Sequence, residues 1–309
     1  MINVTLRQLR YFDALARHAH FGRAAEACAI SQPALSMQIK EMEEALGGVL
    51  LERNARQVSL TKFGEELAER VRDILRSVDE LGDFARASRD LLAGRLRVGM
   101  IPTIAPYLLP QVIGNLKRMH PELDIHVREA LTAKLLEELT EGRLDTAIVA
   151  LSVSEPSLTE VALFAENFLL VRPGEDAAKP VPGIDKLREM RLLLLEEGHC
   201  FRDQALAFCK MSPPRETLDA SSLSTLVQMV SAGIGVTLIP EMAVAVETRS
   251  APVCVARLRN PQPSRTVGMV WRKTSPLARQ LMQIAEVVGL AAETLREQRA
   301  PRSPSARNR

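Results

Sequence analysis

Apolar residues recur at helical spacing through the first third of the chain. Leu6, Leu9, Phe12 and Leu15 fall near one face of a helix that Thr5 can cap, which predicts an element from about Leu6 to His18. A shorter alanine-rich helix is predicted from Phe21 to Cys28, then a turn through Ala29-Ile30-Ser31. Ser31 is placed to cap a third helix, and Pro33 falls in its first turn, where the missing N–H costs nothing. Leu35, Ile39, Met42 and Leu46, spaced 4, 3 and 4, give that helix one buried face, and Gly47-Gly48 ends it. Two extended runs, Val49 to Arg53 and Gln57 to Leu60, turn through Asn54-Ala55-Arg56 and predict a small β-ribbon. From Lys62 to Asp90 there is no proline, and Leu67, Val71, Ile74, Val78, Leu81 and Ala85 are spaced 4, 3, 4, 3 and 4. That is a heptad seam on a helix about 40 Å long. It either packs on its own domain or pairs with a second copy, and the charged residues flanking it favour the dimer.

After Gly94 the pattern changes to short apolar runs alternating with helical stretches. Strands are predicted at 96–101, 124–129, 144–151, 168–172, 191–195, 236–239 and 267–272. Helices are predicted to about Met119 and over 132–141, 201–210, 222–232 and 276–296. Such alternation implies an α/β fold, a parallel sheet with helices on its faces. The reading is two similar lobes, about 95–165 plus 267–298 and 166–266, within a domain spanning 93–298. A ligand site is expected in the cleft, outside the carboxyl ends of the strands.

Composition adds limits. Aromatic residues are only 4% of the 309, which argues against an all-β sandwich. A net charge of +2 does not by itself mark nucleic-acid binding. Residues 299–309 carry four arginines and no acid and read as a disordered basic tail. No apolar run is long enough to span a membrane and no secretory pattern opens the chain, so a cytoplasmic protein is expected. The four cysteines, Cys28, Cys200, Cys209 and Cys254, lack metal-site spacing, and no metal or cofactor is expected. Cys28 and Cys254 read as inert core thiols.

The helix–turn–helix order of the first 47 residues has a chemistry of its own. Residues at the start of the second helix of such a motif meet base edges in the major groove. Here these are Gln32, Pro33, Ser36 and Met37, with Lys40 farther along near phosphate, and Gln32 can pair bidentately with adenine. In the wing, Arg53 and Arg56 would meet the DNA backbone or minor groove. From spacing alone, a three-helix domain with a solvated face fits equally well.

The residues Leu9-Arg10-Tyr11-Phe12, Phe21-Gly22-Arg23-Ala24-Ala25, Ser31-Gln32-Pro33-Ala34-Leu35-Ser36, Leu46-Gly47, Leu50-Leu51-Glu52-Arg53 and Thr61-Lys62-Phe63-Gly64 resemble the LysR family of bacterial transcriptional regulators. The resemblance implies a winged helix-turn-helix domain over 1–61, a linker and dimerisation helix over 62–90, and a two-lobed effector domain resembling periplasmic binding proteins. It also implies homodimers or homotetramers on double-stranded promoter DNA, with RNA polymerase as a further partner.

Two more stretches, Ile101-Pro102-Thr103 with Pro106-Tyr107-Leu108-Leu109-Pro110 and Glu197-Gly198-His199-Cys200-Phe201-Arg202-Asp203-Gln204-Ala205 with Phe208-Cys209, are similar to the hydrogen-peroxide-sensing branch of that family. The resemblance implies that Cys200 reacts with peroxide and Cys209 resolves it as a disulfide, which a thiol reductant later resets. It implies that Thr103, Thr132, His199 and Asp203 help bind and polarise peroxide. The residues agree: Cys200 precedes a helix, near its positive end, with Arg202 two residues on, and both favour a thiolate. Thr103 is expected to open a helix with its hydroxyl toward the cleft. A thiolate and peroxide give a sulfenic acid, which a second thiol converts to a disulfide. Nine residues along a helix is about 13 Å of rise and a half-turn in direction, whereas a disulfide needs Cα atoms within roughly 7 Å. If 201–210 is helical, oxidation must unwind it. Ala205, Leu206 and Phe208 also suit a core helix, so Cys209 is expected to be buried when reduced. The chain departs from its relatives at 215–219. Two other functions compete: a LysR-type regulator of a small metabolite with structural cysteines, and a thiol peroxidase, which leaves residues 1–62 unexplained.

Overall fold

The computed structural model describes residues 3–54, 57–87, 93–211, 219–258 and 261–299. They form two compact units, Met1–Ala85 and Arg86–Arg309.

In the first unit, α1 (Leu6–His18) starts on a capping box in which Thr5 and Gln8 exchange hydrogen bonds. After α2 (Phe21–Ala27), Ser31 Oγ accepts from the Ala34 N–H to cap α3 (Gln32–Leu46), and Gly47 ends it at φ 68°. Phe12, Leu15, Leu35, Ile39 and Met42 form the core. The ribbon is β1 (Leu51–Asn54) paired antiparallel with β2 (Gln57–Leu60). Gly64 lets α4 (Lys62–Ala87) pass close to it: a Cβ there would lie 2.2 Å from the Leu50 carbonyl oxygen. The seam on α4 divides. Leu67 and Val71 pack into this unit, whereas Ile74 is exposed and Leu81 is 68% exposed, as is Phe84 beside the seam.

The second unit holds a nine-stranded sheet in the order β4-β3-β5-β11-β6-β9-β7-β8, with β10 beside β6. One end has β3 (Gly94–Met100) parallel to β4 (Leu123–Glu129) and β5 (Thr146–Leu151). The other has β7 (Leu192–Leu195) parallel to β8 (Asp219–Ala220) and β9 (Val236–Pro240). The parallel sheet expected from the alternation is therefore corrected to a mixed one. The 16-residue β6 (Leu158–Pro173) runs antiparallel to β11 (Ser264–Arg272), β9 and β10 (Val253–Ala256). Helices α5 (Ala105–Met119) and α6 (Thr132–Thr140) follow β3 and β4. Helix α7 (Ile184–Glu189) precedes β7, and α8 (Cys200–Cys209) follows it. Then come α9 (Leu223–Ser231), the short α10 (Val244–Glu247) and α11 (Ala278–Arg299), which packs on α5 and β6. No helix among the described residues is long and apolar enough to cross a membrane.

Candidate functional site

Strand β7 is four leucines, all buried, and the chain leaves it through Glu196, Glu197 and Gly198. Gly198 has φ +92°, and a Cβ on it would come within 3.0 Å of Leu131 Cδ1. Glycine thus satisfies both the turn and the close approach of the segment between β4 and α6. His199 is the N-cap of α8 and makes no side-chain cap bond, and Cys200 is the first helical residue. Ile101, Pro102 and Thr103 after β3, Leu131 and Thr132 after β4, and Gly198 to Phe201 after β7 line one narrow, tightly closed recess. All three segments leave carboxyl ends of strands, where sheets of this kind bind ligands.

The recess therefore gathers Cys200, Thr103, Thr132 and His199. Thr132 Oγ1 is buried and has no hydrogen-bond partner among the described residues. Such an atom costs free energy unless something accepts or donates to it. Thr103 is 3% exposed, and its hydroxyl oxygen accepts from Arg265 Nη1 at 2.8 Å. It lies two residues before α5 rather than opening it. Burial pushes the His199 imidazole below its ordinary 6.5, against a weaker opposing pull from Glu196. A histidine whose pKa is lowered by folding contributes stability that is fully present above its unfolded pKa and is lost as the pH falls from about 6.5 down through its lower folded value. Urea midpoints should therefore drop more steeply on acidification in the wild type than in His199→Gln. Equal slopes would refute this origin.

Arg202 and Asp203 do not line the recess. At 100° per residue, Arg202 is turned about 200° around the helix from Cys200. Its buried guanidinium donates to the Leu195 carbonyl at 2.8 Å and lies 2.9 Å from Asp219. Asp203 is exposed one turn along α8. Cys209, the last residue of α8, is fully buried, and burial pushes its thiol up while Arg188 pulls it down. Both cysteines of α8 are free thiols on a continuous helix. Cys28 and Cys254 are only partly buried, which corrects their reading as core thiols: Cys28 caps α2, and Cys254 donates to the Pro173 carbonyl on the β10 ribbon. Among the described residues no cluster of His, Cys, Asp or Glu could hold a metal ion.

Sequence reasoning missed Arg265. Its guanidinium pairs with Glu166 at 2.9 Å, donates to both the hydroxyl and the carbonyl of Thr103, and lies about 6 Å from the rings of Phe168 and Phe201. Glu166 in turn accepts from the Met242 N–H. The legible signal was its parity: Arg265 alternates with Val267, Met269 and Trp271, all buried on β11.

In the first unit, Gln32, Pro33, Ser36, Met37 and Lys40 are all exposed along one side of α3, opposite Leu35, Ile39 and Met42. Lys40 lies 3.7 Å from Glu44. Arg53 is on β1 by its backbone, and its side chain, Arg56, residues 215–218 and the tail 300–309 lie outside what is described.

Comparison with known proteins follows these two units. Residues 6–65 match the family model for the bacterial regulatory helix-turn-helix protein of the lysR family, and residues 89–289 match the LysR substrate binding domain. The chain is 42% identical over 291 residues to the DNA-binding transcriptional dual regulator OxyR of Escherichia coli K12, covering 92% of this chain and 95% of that one. It is 42% identical over 289 residues to the hydrogen peroxide-inducible genes activator of Dickeya chrysanthemi, again covering 92% and 95%. Among solved structures, a full-length OxyR variant from Pseudomonas aeruginosa superimposes with a TM-score of 0.74 at 38% identity, over 93% of this chain and 95% of that one. A hydrogen-peroxide-bound OxyR mutant from Corynebacterium glutamicum gives 0.66 at 34%, over 95% and 94%. A helix-turn-helix with its reading face exposed, a mixed α/β unit behind it and matches across both units lead to one statement: the chain belongs to the LysR family of bacterial regulatory helix-turn-helix proteins.

Proposed function

We propose that this chain is a hydrogen-peroxide-sensing transcriptional regulator whose signal is a reversible disulfide between Cys200 and Cys209. The observation that carries the reading is that one helix begins on Cys200 and ends on Cys209, with Cys200 in a recess beside the orphaned Thr132 hydroxyl. Cys200 is the first helical residue of α8, at the end that carries the helix's unpaired N–H groups. The thiolate attacks peroxide: an S–O bond forms, the O–O bond breaks, and hydroxide leaves and takes up a proton. Thr103, Thr132 and His199 are the groups that bind and polarise the peroxide, while Arg202 and Asp203 act from outside the recess, on the shape of α8. Cys209 then attacks the oxidised sulfur. Its Cα is about 13 Å along the helix from that of Cys200 and on the opposite face, so α8 must unwind. The wound and unwound segments are the bistable element the disulfide selects.

The output is DNA binding. Residues 1–61 are the reading domain, with Gln32, Pro33, Ser36 and Met37 toward bases, Lys40 toward phosphate, and Arg53 and Arg56 toward the DNA backbone or minor groove. Residues 62–90 join it to a sensor over 93–298, whose lobes are about 95–165 plus 267–298 and 166–266. The outer part of the seam on α4, Ile74, Val78, Leu81 and Ala85, pairs with a second copy as a homodimer, and dimers pair into tetramers on promoter sites where RNA polymerase is engaged. A thiol reductant returns the protein to its resting state. Footprinting of the full-length protein on a promoter it controls tests the reading. The protected region should shift on adding hydrogen peroxide and return with a dithiol. A footprint indifferent to peroxide would sink the sensor reading in favour of a metabolite-responsive regulator.

A further inference from the structure

The C-terminal end of α8 is held from outside the helix. Arg188 on α7 donates from Nε to the Cys209 carbonyl oxygen at 2.7 Å and from Nη1 to Asp185 at 3.2 Å. That carbonyl is one of the last four of α8, which the helix itself leaves without N–H partners. A cation there also meets the negative end of the helix. One residue on, Lys210 stops the helix in the left-handed region at φ 49°, a conformation that side chains other than glycine resist. So one contact favours the wound helix at this end, and one backbone conformation opposes it.

We propose that Arg188 is a positioning residue for the disulfide step: by holding the Cys209 carbonyl it keeps α8 wound and so sets how fast Cys209 reaches the oxidised Cys200. The inference rests on the two-cysteine reading and adds the contact that must break before the second step. In that step the Cys209 sulfur attacks the sulfenic sulfur of Cys200. The S–S bond forms, the S–O bond breaks, and the hydroxyl leaves with the Cys209 proton as water. Arg188 makes and breaks no bond in this step; its weaker pull on the Cys209 thiol favours the attack, so any acceleration on removing it must come from the released helix end. The first step needs only Cys200 and the recess at the opposite end of α8, so it is independent of Arg188.

Two rates separate the steps. Reduced full-length protein is mixed with hydrogen peroxide and quenched at intervals with a sulfenic-acid trap and a thiol alkylator. Intact mass then gives the loss of the Cys200 thiol and the gain of the disulfide. In Arg188→Leu the first rate should be unchanged and the second about ten- to a hundredfold faster, the size of a charged hydrogen bond lost before the transition state. Arg188→Lys keeps the cation without the planar fork and should fall between; it is the variant to read should Arg188→Leu not fold. Lys210→Gly relieves the left-handed strain, stabilises the wound helix and should slow the second step several-fold. Opposite movements of the second rate in the Arg188 and Lys210 variants, with the first rate constant, support the proposal. A second rate unchanged or slower in both Arg188 variants, or a faster one in Lys210→Gly, overturns it. A wild type that loses the Cys200 thiol but forms no Cys200–Cys209 disulfide refutes the two-cysteine reading, and this inference with it.

Discussion

Serine at Cys200 should abolish the peroxide-dependent change in the footprint and leave DNA affinity as it was. The two expectations come from different units. A serine hydroxyl differs from the thiol by one atom but is not ionised near neutral pH, and only the thiolate attacks peroxide. The site has no second nucleophile at the same place: Cys209 is buried at the far end of α8, and Cys28 and Cys254 lie on other elements. DNA binding, in contrast, rests on Met1–Ala85, a compact unit with its own core of Phe12, Leu15, Leu35, Ile39 and Met42. The substitution is small, and Cys200 is only partly buried, so the fold survives it. Cys209→Ser should lose the disulfide while still consuming one equivalent of peroxide at Cys200. Serines at Cys28 and Cys254 should behave as wild type. A Cys200→Ser protein that still answers peroxide would move the sensing chemistry elsewhere in the chain. Sustained peroxide turnover by the wild type with a dithiol, and no change on DNA, would favour a peroxidase instead.

Much of this was legible because the signals are local. Thr5 and Ser31 cap the helices that the apolar spacing predicts, and Gly47 ends the second of them, so α1 and α3 run where the sequence places them. Strand β6 was only half foreseen. Its first part mixes Glu160 and Glu166 with Val161 and Phe164, and its partner β11 lies about a hundred residues later, so nothing nearby announces the pairing. The same distance hid Arg265, which reaches Thr103 across 162 residues. Arg202 lies outside the recess for the opposite reason. Two residues from Cys200 is close along the chain, but helical rotation turns the guanidinium toward Leu195 and Asp219. Proximity along a helix predicts a shared face only at three or four residues. Thr132 was placed by resemblance, and the structure adds what no sequence pattern carries, a buried hydroxyl without a hydrogen-bond partner among the described residues.

Arg265→Met should strongly destabilise the second unit, by about 3–5 kcal/mol. The arginine side chain has no exposure and its partner Glu166 is 4% exposed. Removing the cation leaves a buried carboxylate held by the Met242 N–H but without its counter-charge, and that uncompensated charge, rather than the lost pair, sets the size of the effect. It follows that Glu166→Gln placed on top of Arg265→Met should recover most of the loss, because no charge is then left in the core. Trp271, the one tryptophan of the chain, is buried on the same strand six residues along and reports unfolding of this unit by fluorescence. The double variant then separates stability from chemistry. It should unfold near the wild-type denaturant midpoint yet oxidise Cys200 more slowly. The donor that orients the Thr103 hydroxyl is gone, and Phe201, next to Cys200, has lost the cation beside its ring. A double variant as unstable as Arg265→Met would show that packing around the guanidinium, not charge, holds this junction. One with wild-type stability and wild-type oxidation would show that Thr103 needs no donor to serve the recess.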